Sequence, residues 1–264
     1  MFINPYTGQV MGKIPQSDNW LRGLLDLHYQ LLAGDTGTIV AGITGLLLFI
    51  LSITGIVLWP GWRKLIAGFK IKWNAHPKRL NFDIHKVAGV IAAVFLAFTG
   101  FTGFCWNFYD WSSGIIYAIT FTPKPPELTS KPIPGRSPIP IAKIIAIADK
   151  AIPNSIVTYV GVPNKPKDIV RVGKRQSHEL SEFGESEVAL DPYTGKVLRV
   201  QNSKKLLLGD RILNAFVPLH YGTFGGLPTR ILYIFVGLSP LILFITGFVM
   251  WQYRKRKVVK SKTI

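Results

Sequence analysis

Five histidines occur in the 264-residue chain, and two of them stand in matched surroundings. "LHYQLLAGDTG" carries His28 and "LHYGTFGGLPT" carries His220; His28 to Trp59 and His220 to Trp251 are both separated by 31 residues, without a gap. Imidazole is the usual axial ligand of a b-type haem iron, and two imidazoles on elements that face each other across the macrocycle hold it from both sides. Any pseudo-twofold packing of the two copies brings His28 and His220 to the same depth, so a bis-His haem is the sharp reading of the pair. The plainer reading makes each an interfacial histidine hydrogen-bonded to a neighbouring carbonyl. The general association of ionisable groups near a bilayer with function favours ligation. His85, in "DIHKVAG", opens a different helix. At about 1.5 Å per residue its end of that helix is on the order of 30 Å from the outer histidines, so His85 would serve a second, inner haem. His76, in "NAHPKR", reads as a solvated loop residue and only as a minor candidate partner for His85; His178 reads as an exposed surface residue.

These residues need elements to position them. Hydrophobic residues make up 48% of the chain, yet the formal net charge is +17, a combination that soluble domains seldom show. Three stretches contain no Asp, Glu, Lys or Arg: 36–59, 87–109 and 231–253. Each meets the roughly 20-residue requirement for a bilayer-crossing helix, and none resembles a cleavable signal peptide. The expected fold class is therefore an α-helical membrane protein with three transmembrane helices and a small periplasmic α+β domain inserted between helices two and three.

Basic residues orient it. Arg63, Lys64, Lys70, Lys72, Lys78 and Arg79 fall between the first two spans, and Arg254, Lys255, Arg256, Lys257, Lys260 and Lys262 follow the third. By the positive-inside rule both segments are cytoplasmic, which leaves the N-terminus and the long middle segment outside. The expected organisation is a hairpin remnant and amphipathic lead-in over 1–35, spans at 36–59 and 84–109 joined by a basic loop at 60–83, a Pro-rich strap at 110–140, an α+β domain at 141–201, a lead-in with His220 at 202–230, a span at 231–253 and a basic tail at 254–264. Cys105 is the single cysteine, so no disulfide forms within the chain.

"NPYTGQV" near the start returns as "DPYTGKV" at Asp191–Val197. Asn or Asp capping its own backbone, Pro presetting φ and Gly at positive φ make this a turn, and at Asp191 alternating runs on both sides make it a hairpin. At Asn4 too little chain precedes it for a first strand. Both turns come before a "LHY" helix-entry copy, so the repeat unit is larger than one helix. The expectation is three quarters of a four-helix, two-repeat design, in which the first copy lacks its outward helix and most of its outer domain. The natural partner of His85 would then lie on that helix or on another chain.

"DPYTGKV" closing a small outer domain, "LHYGTFGG" before a helix ending "ITGFVMW", and "DIHKVAG" opening another resemble the PepSY-associated transmembrane family, which includes iron-regulated inner-membrane proteins and haem-containing ferric-siderophore reductases. The resemblance implies a PepSY-like outer domain, haem b, and electron transfer to a ferric siderophore in the periplasm. The electron donor would be a membrane quinol or an unidentified cytoplasmic partner. Residues Asp110–Arg230 hold 16 basic and 10 acidic residues, a modest excess that attracts an anionic chelate.

Other chemistries lack their signatures: no HExxH, CxxC, P-loop or GxGxxG occurs. The positive charge is accounted for by topology rather than by nucleic acid. Two other readings stand beside the reductase: a membrane-tethered interaction module that regulates a peptidase, and a non-catalytic truncated remnant. Glycines 42, 45, 55, 89, 100, 103, 237 and 247 suit either a flat porphyrin or close helix contact. Thr54 and Thr246 are expected to bond back to their own helices.

Overall fold

The computed structural model describes residues 2–4, 7–13, 15, 19–179 and 181–262. The chain divides into two compact units, Met1–Tyr109 with Leu243–Ile264, and Asp110–Ile242.

In the first unit, α1 (Trp20–Gln30) is capped by Asn19, whose side chain accepts from the Arg22 N–H, and ends where Leu31 turns left-handed at φ 52°. α2 (Gly34–Val57) follows at once. A short helix, α3 (Leu65–Phe69), lies in the loop before α4 (Pro77–Asn107). α4 starts well before the charge-free stretch because His76 caps it, its Nδ1 accepting from the Lys78 N–H at 3.3 Å, with Pro77 in the first helical position. His76 is thus a capping residue. α2 and α4 meet backbone to backbone. A Cβ on Gly100 would stand 2.7 Å from the Gly45 carbonyl oxygen, and one on Gly45 2.9 Å from that of Gly100. A Cβ on Gly42 would strike the Phe108 ring at 2.6 Å. These three glycines serve helix contact, whereas Gly55 and Gly237 face open space.

The N-terminal turn differs from the sequence expectation. Phe2–Ile3 (β1) pairs antiparallel with Val10–Gly12 (β2), so the half hairpin is a whole one with a two-residue first strand. Pro5 and Tyr6 of "NPYTG" lie outside the described residues. The rest of the turn has the same bonds as its later copy. The Asn4 N–H donates to the Gln9 carbonyl and the Gly8 N–H to that of Asn4; the Asp191 N–H donates to Lys196 and the Gly195 N–H to Asp191, all at 2.9 Å. Gly8 and Gly195 have φ of 70° and 73°, the left-handed region that suits glycine.

In the second unit four strands, β3 (Ile156–Gly161), β4 (Val170–Arg175), β5 (Ser186–Leu190) and β6 (Val197–Gln201), form an antiparallel sheet in sequence order. One face packs on α6 (Ile141–Ala151): Ile144, Ala148 and Ile152 close over Val170, Val172, Val188 and Leu190. The strap before it is tied to the sheet's turn. Ser130 Oγ donates to Asp191 Oδ2 at 2.9 Å, and the Ile139 N–H donates to the Pro192 carbonyl at 2.9 Å. Two helices appear where the sequence suggested strap and lead-in: α5 (Tyr109–Ile119) and α7 (Leu208–Tyr221). Each buries one short stripe, Ser112, Ser113, Ile116 and Tyr117 in α5 and Gly209, Phe216 and Pro218 in α7, and Tyr117 Oη donates to Asp210 Oδ1 at 2.9 Å. α8 (Leu227–Lys262) closes the chain.

α2, α4 and α8 are long and apolar enough to cross a membrane, with candidate spans at Gly34–Trp62, Pro77–Asn107 and Leu227–Lys255. The four-stranded sheet lies in the sequence between the second and third.

The Asp191 carboxylate accepts from the Tyr193 and Thr194 N–H groups, the Thr194 hydroxyl and the Ser130 hydroxyl. Burial pushes its pKa up, but these four donors outweigh burial and hold it below the ordinary aspartate value. A depressed folded-state pKa contributes stability that is present above the unfolded value of about 4 and is lost as pH falls through the folded value. Acid titration below pH 4 is therefore expected to lower the melting temperature of the sheet unit, and Asp191→Asn to remove part of that slope, both read by circular dichroism. An equal slope in wild type and variant would refute this.

Candidate functional site

His85 sits two turns into α4, half buried, on the face towards Leu243–Ile264 of α8. Its Nδ1 is 2.9 Å from Thr246 Oγ1, and Thr246 also donates to the Leu243 carbonyl at 3.3 Å. The expected bond back to the threonine's own helix is present, but Thr246 spans two helices as well, a contact between residues 161 apart in sequence. Two glycines line the approach, with room for a Cβ at either. A Cβ on Gly247 would lie 3.6 Å from His85 Cε1, and one on Gly89 would lie 3.6 Å from a Leu243 methyl. An open apolar groove on α8, lined by Leu243, Phe244, Gly247, Phe248 and Trp251, adjoins this point.

This arrangement suits a haem ligand. Fixing one ring nitrogen of a ligating histidine by a second-shell hydrogen bond sets the ring's orientation and leaves the other for the metal. Thr246 occupies Nδ1, which leaves Nε2. Among the described residues no group of three or more His, Cys, Asp and Glu side chains could hold a bare metal ion.

The two outer candidates lie in different units and are described within their own. His28 is exposed near the C-terminal end of α1, and His220 is half buried near that of α7. Both helices end in a left-handed residue, Leu31 and Gly222, and both pass within a few residues into a long apolar helix. Each corner is fastened through a carbonyl next to the histidine. Asn107 Nδ2 donates to the carbonyls of Tyr29 at 3.4 Å and Thr38 at 2.9 Å. Tyr233 Oη donates to the carbonyl of Leu219 at 2.5 Å, and Thr229 Oγ1 to that of Gly222 at 2.6 Å. Gly222 has no Cβ because the Tyr233 ring fills that space.

Two clusters escaped the sequence reading. Asp83 is wholly buried and accepts from the Lys72 N–H, Arg79 Nε and Lys86 Nζ, each at 3.2 Å. Lys86 also donates to the carbonyls of Ala67 at 2.9 Å and Lys70 at 3.1 Å. The "DIHK" spacing was the available signal, since positions i and i+3 share a helix face. In the sheet unit, Gln176 donates to Ser186, Asn202 and Ser203, and Ser203 Oγ lies 3.1 Å from His178 Nε2, so His178 is exposed but bonded. Burial raises the pKa of Glu179 beside it, but bonds from Ser186, Ser203 and backbone N–H groups outweigh burial and keep it below the ordinary glutamate value.

A family profile described as the PepSY-associated TM region matches residues 1–254. The chain belongs to this family and is a multi-pass membrane protein. No curated protein matches it.

Proposed function

We propose that the chain is a haem b protein of a bacterial inner membrane that passes electrons to a ferric siderophore or similar ferric chelate on the periplasmic side. Basic residues around the loop at 60–83 and the tail at 254–264 support the orientation, with the sheet unit and the N-terminus outside. The observation that carries the reading is the repeated corner. His28 and His220 each stand in the last turn of a short helix that turns left-handed, at Leu31 and at Gly222, and passes into a long apolar one, and each corner is pinned by a neighbouring side chain. Family membership supports it from a second direction.

His28 and His220 are the proposed axial ligands of an outer haem, and His85, held by Thr246, the ligand of an inner one. Haem held there would supply single electrons for reducing a ferric chelate, whose hard oxygen donors hold Fe(II) less tightly than Fe(III). The protein's part is to fix the imidazoles, exclude water with the apolar helices and attract the anionic chelate with the basic excess of its outer segment. The donor is a quinol or a cytoplasmic partner, and the second ligand facing His85 comes from another chain or helix.

The test is reduction of a ferric siderophore by the dithionite-reduced, desalted protein, followed through a ferrous-iron trap. Wild type is expected to convert chelate in proportion to its haem, and His28→Ala and His220→Ala to lose the outer haem and this activity. Reduction that persists in both variants would refute the assignment.

A further inference from the structure

We propose that the loop between α2 and α4 is a docking surface for anionic phospholipid headgroups, lying in the membrane interface rather than in free water. Loops in water present polar side chains; this one turns apolar ones outward. Ile66 is 86% exposed, and Trp62, Leu65 and Trp73 are each more than three-fifths exposed. Interleaved with them are Arg63, Lys64, Lys70 and Lys72, all exposed. From Pro60 to Phe82 there is no acidic residue to neutralise them. Cations alternating with outward aromatic and aliphatic residues are the pattern of a segment seated at the boundary between headgroups and acyl chains.

The loop is also packed on itself and bonded to α4, which gives its outward face a defined shape. Trp59 is buried at its centre, with Trp62 and Phe69 edge-on at 5.5 and 5.0 Å between ring centroids. Gly61 and Gly68 close on the indole so tightly that a Cβ on either would overlap it. Lys86 then holds the carbonyls of Ala67 and Lys70, and Asp83 the N–H of Lys72, so α3 is fastened to α4 by bonds from within the span. Both ends of the loop run directly into candidate membrane helices, which sets it at the bilayer surface. There the charge complement is a phosphate-bearing headgroup, each nearby cation contributing about fivefold in affinity.

Native mass spectrometry of the full-length protein, released from bicelles of phosphatidylglycerol and phosphatidylcholine, reads the preference. Wild type is expected to retain phosphatidylglycerol over phosphatidylcholine by at least the roughly fivefold that a single cation contributes. The variant Lys64→Gln, Lys70→Gln, Lys72→Gln should fall towards parity, whereas Arg254→Gln, Lys255→Gln in the tail should keep most of it. A fluorophore on Ile66→Cys should be quenched by lipids brominated along the acyl chain. Equal retention by wild type, loss in the tail variant but not the loop variant, or an unquenched label would each overturn the proposal.

Discussion

Replacing Lys86 with methionine is expected to destabilise the protein by about 3–5 kcal/mol, the usual cost of removing one partner from a buried ion pair. The ammonium serves three acceptors, Asp83 and the carbonyls of Ala67 and Lys70. Without it Asp83, which has no exposed surface, keeps only the Lys72 N–H and Arg79, whose side chain is half exposed. Two carbonyls of the loop, those of Ala67 and Lys70, also lose their donor. The double variant Asp83→Asn, Lys86→Met should cost less than the sum of its parts, because it leaves no unpaired charge. Melting in detergent, read by the survival of the monodisperse species, should fall on the order of 10 °C for Lys86→Met. Additive losses in the double variant would show that the pair is not coupled.

The second large effect concerns Gly100. A leucine there would drive its Cβ to 2.7 Å from the Gly45 carbonyl oxygen and 3.0 Å from the Phe49 nitrogen. Both are backbone atoms on a helix with no rotamer to change, so α2 and α4 must part. The Phe49–Phe101 contact, with ring centroids 5.4 Å apart, is lost with them. Even one surplus methyl in a tight site costs about 1–3 kcal/mol, and leucine should exceed that and abolish the native packing. Gly55→Leu on the same helix as Gly45 meets nothing within 4 Å and is the matched control. Monodispersity and protease resistance after purification report the result. Equal behaviour of the two variants would mean that the Gly45–Gly100 crossing does not hold the helices together.

These two cases show where sequence reasoning stops. The spans were legible because a run of charge-free residues has no alternative solvent, and the "PYTG" copies were legible because turn chemistry is local. The sheet unit followed from alternation and a single helical stretch. α5 and α7 did not: α5 runs on directly from the end of a span, and α7 holds Pro218 inside it, which argues locally against a helix that tertiary packing nonetheless keeps. β1 was missed because two residues suffice for a strand once a turn has set the register. The pairing of His85 with Thr246 joins distant segments, and no local pattern announces it. The glycines divided only when their neighbours were known: Gly45 and Gly100 touch backbone, Gly247 touches the histidine, and Gly55 touches nothing.

The proposed function makes the histidine pair and His85 a single claim about cofactor content. Its most direct test is the visible spectrum of the purified full-length protein, oxidised and dithionite-reduced, with haem counted by the pyridine haemochrome. The account predicts the sharp reduced bands of six-coordinate haem b, at about one haem per chain or two where the ligand facing His85 is supplied. A folded, monodisperse protein that stays colourless after expression with added haem would contradict it, and would make His28 and His220 structural residues of their helix corners and His85 a structural contact to Thr246.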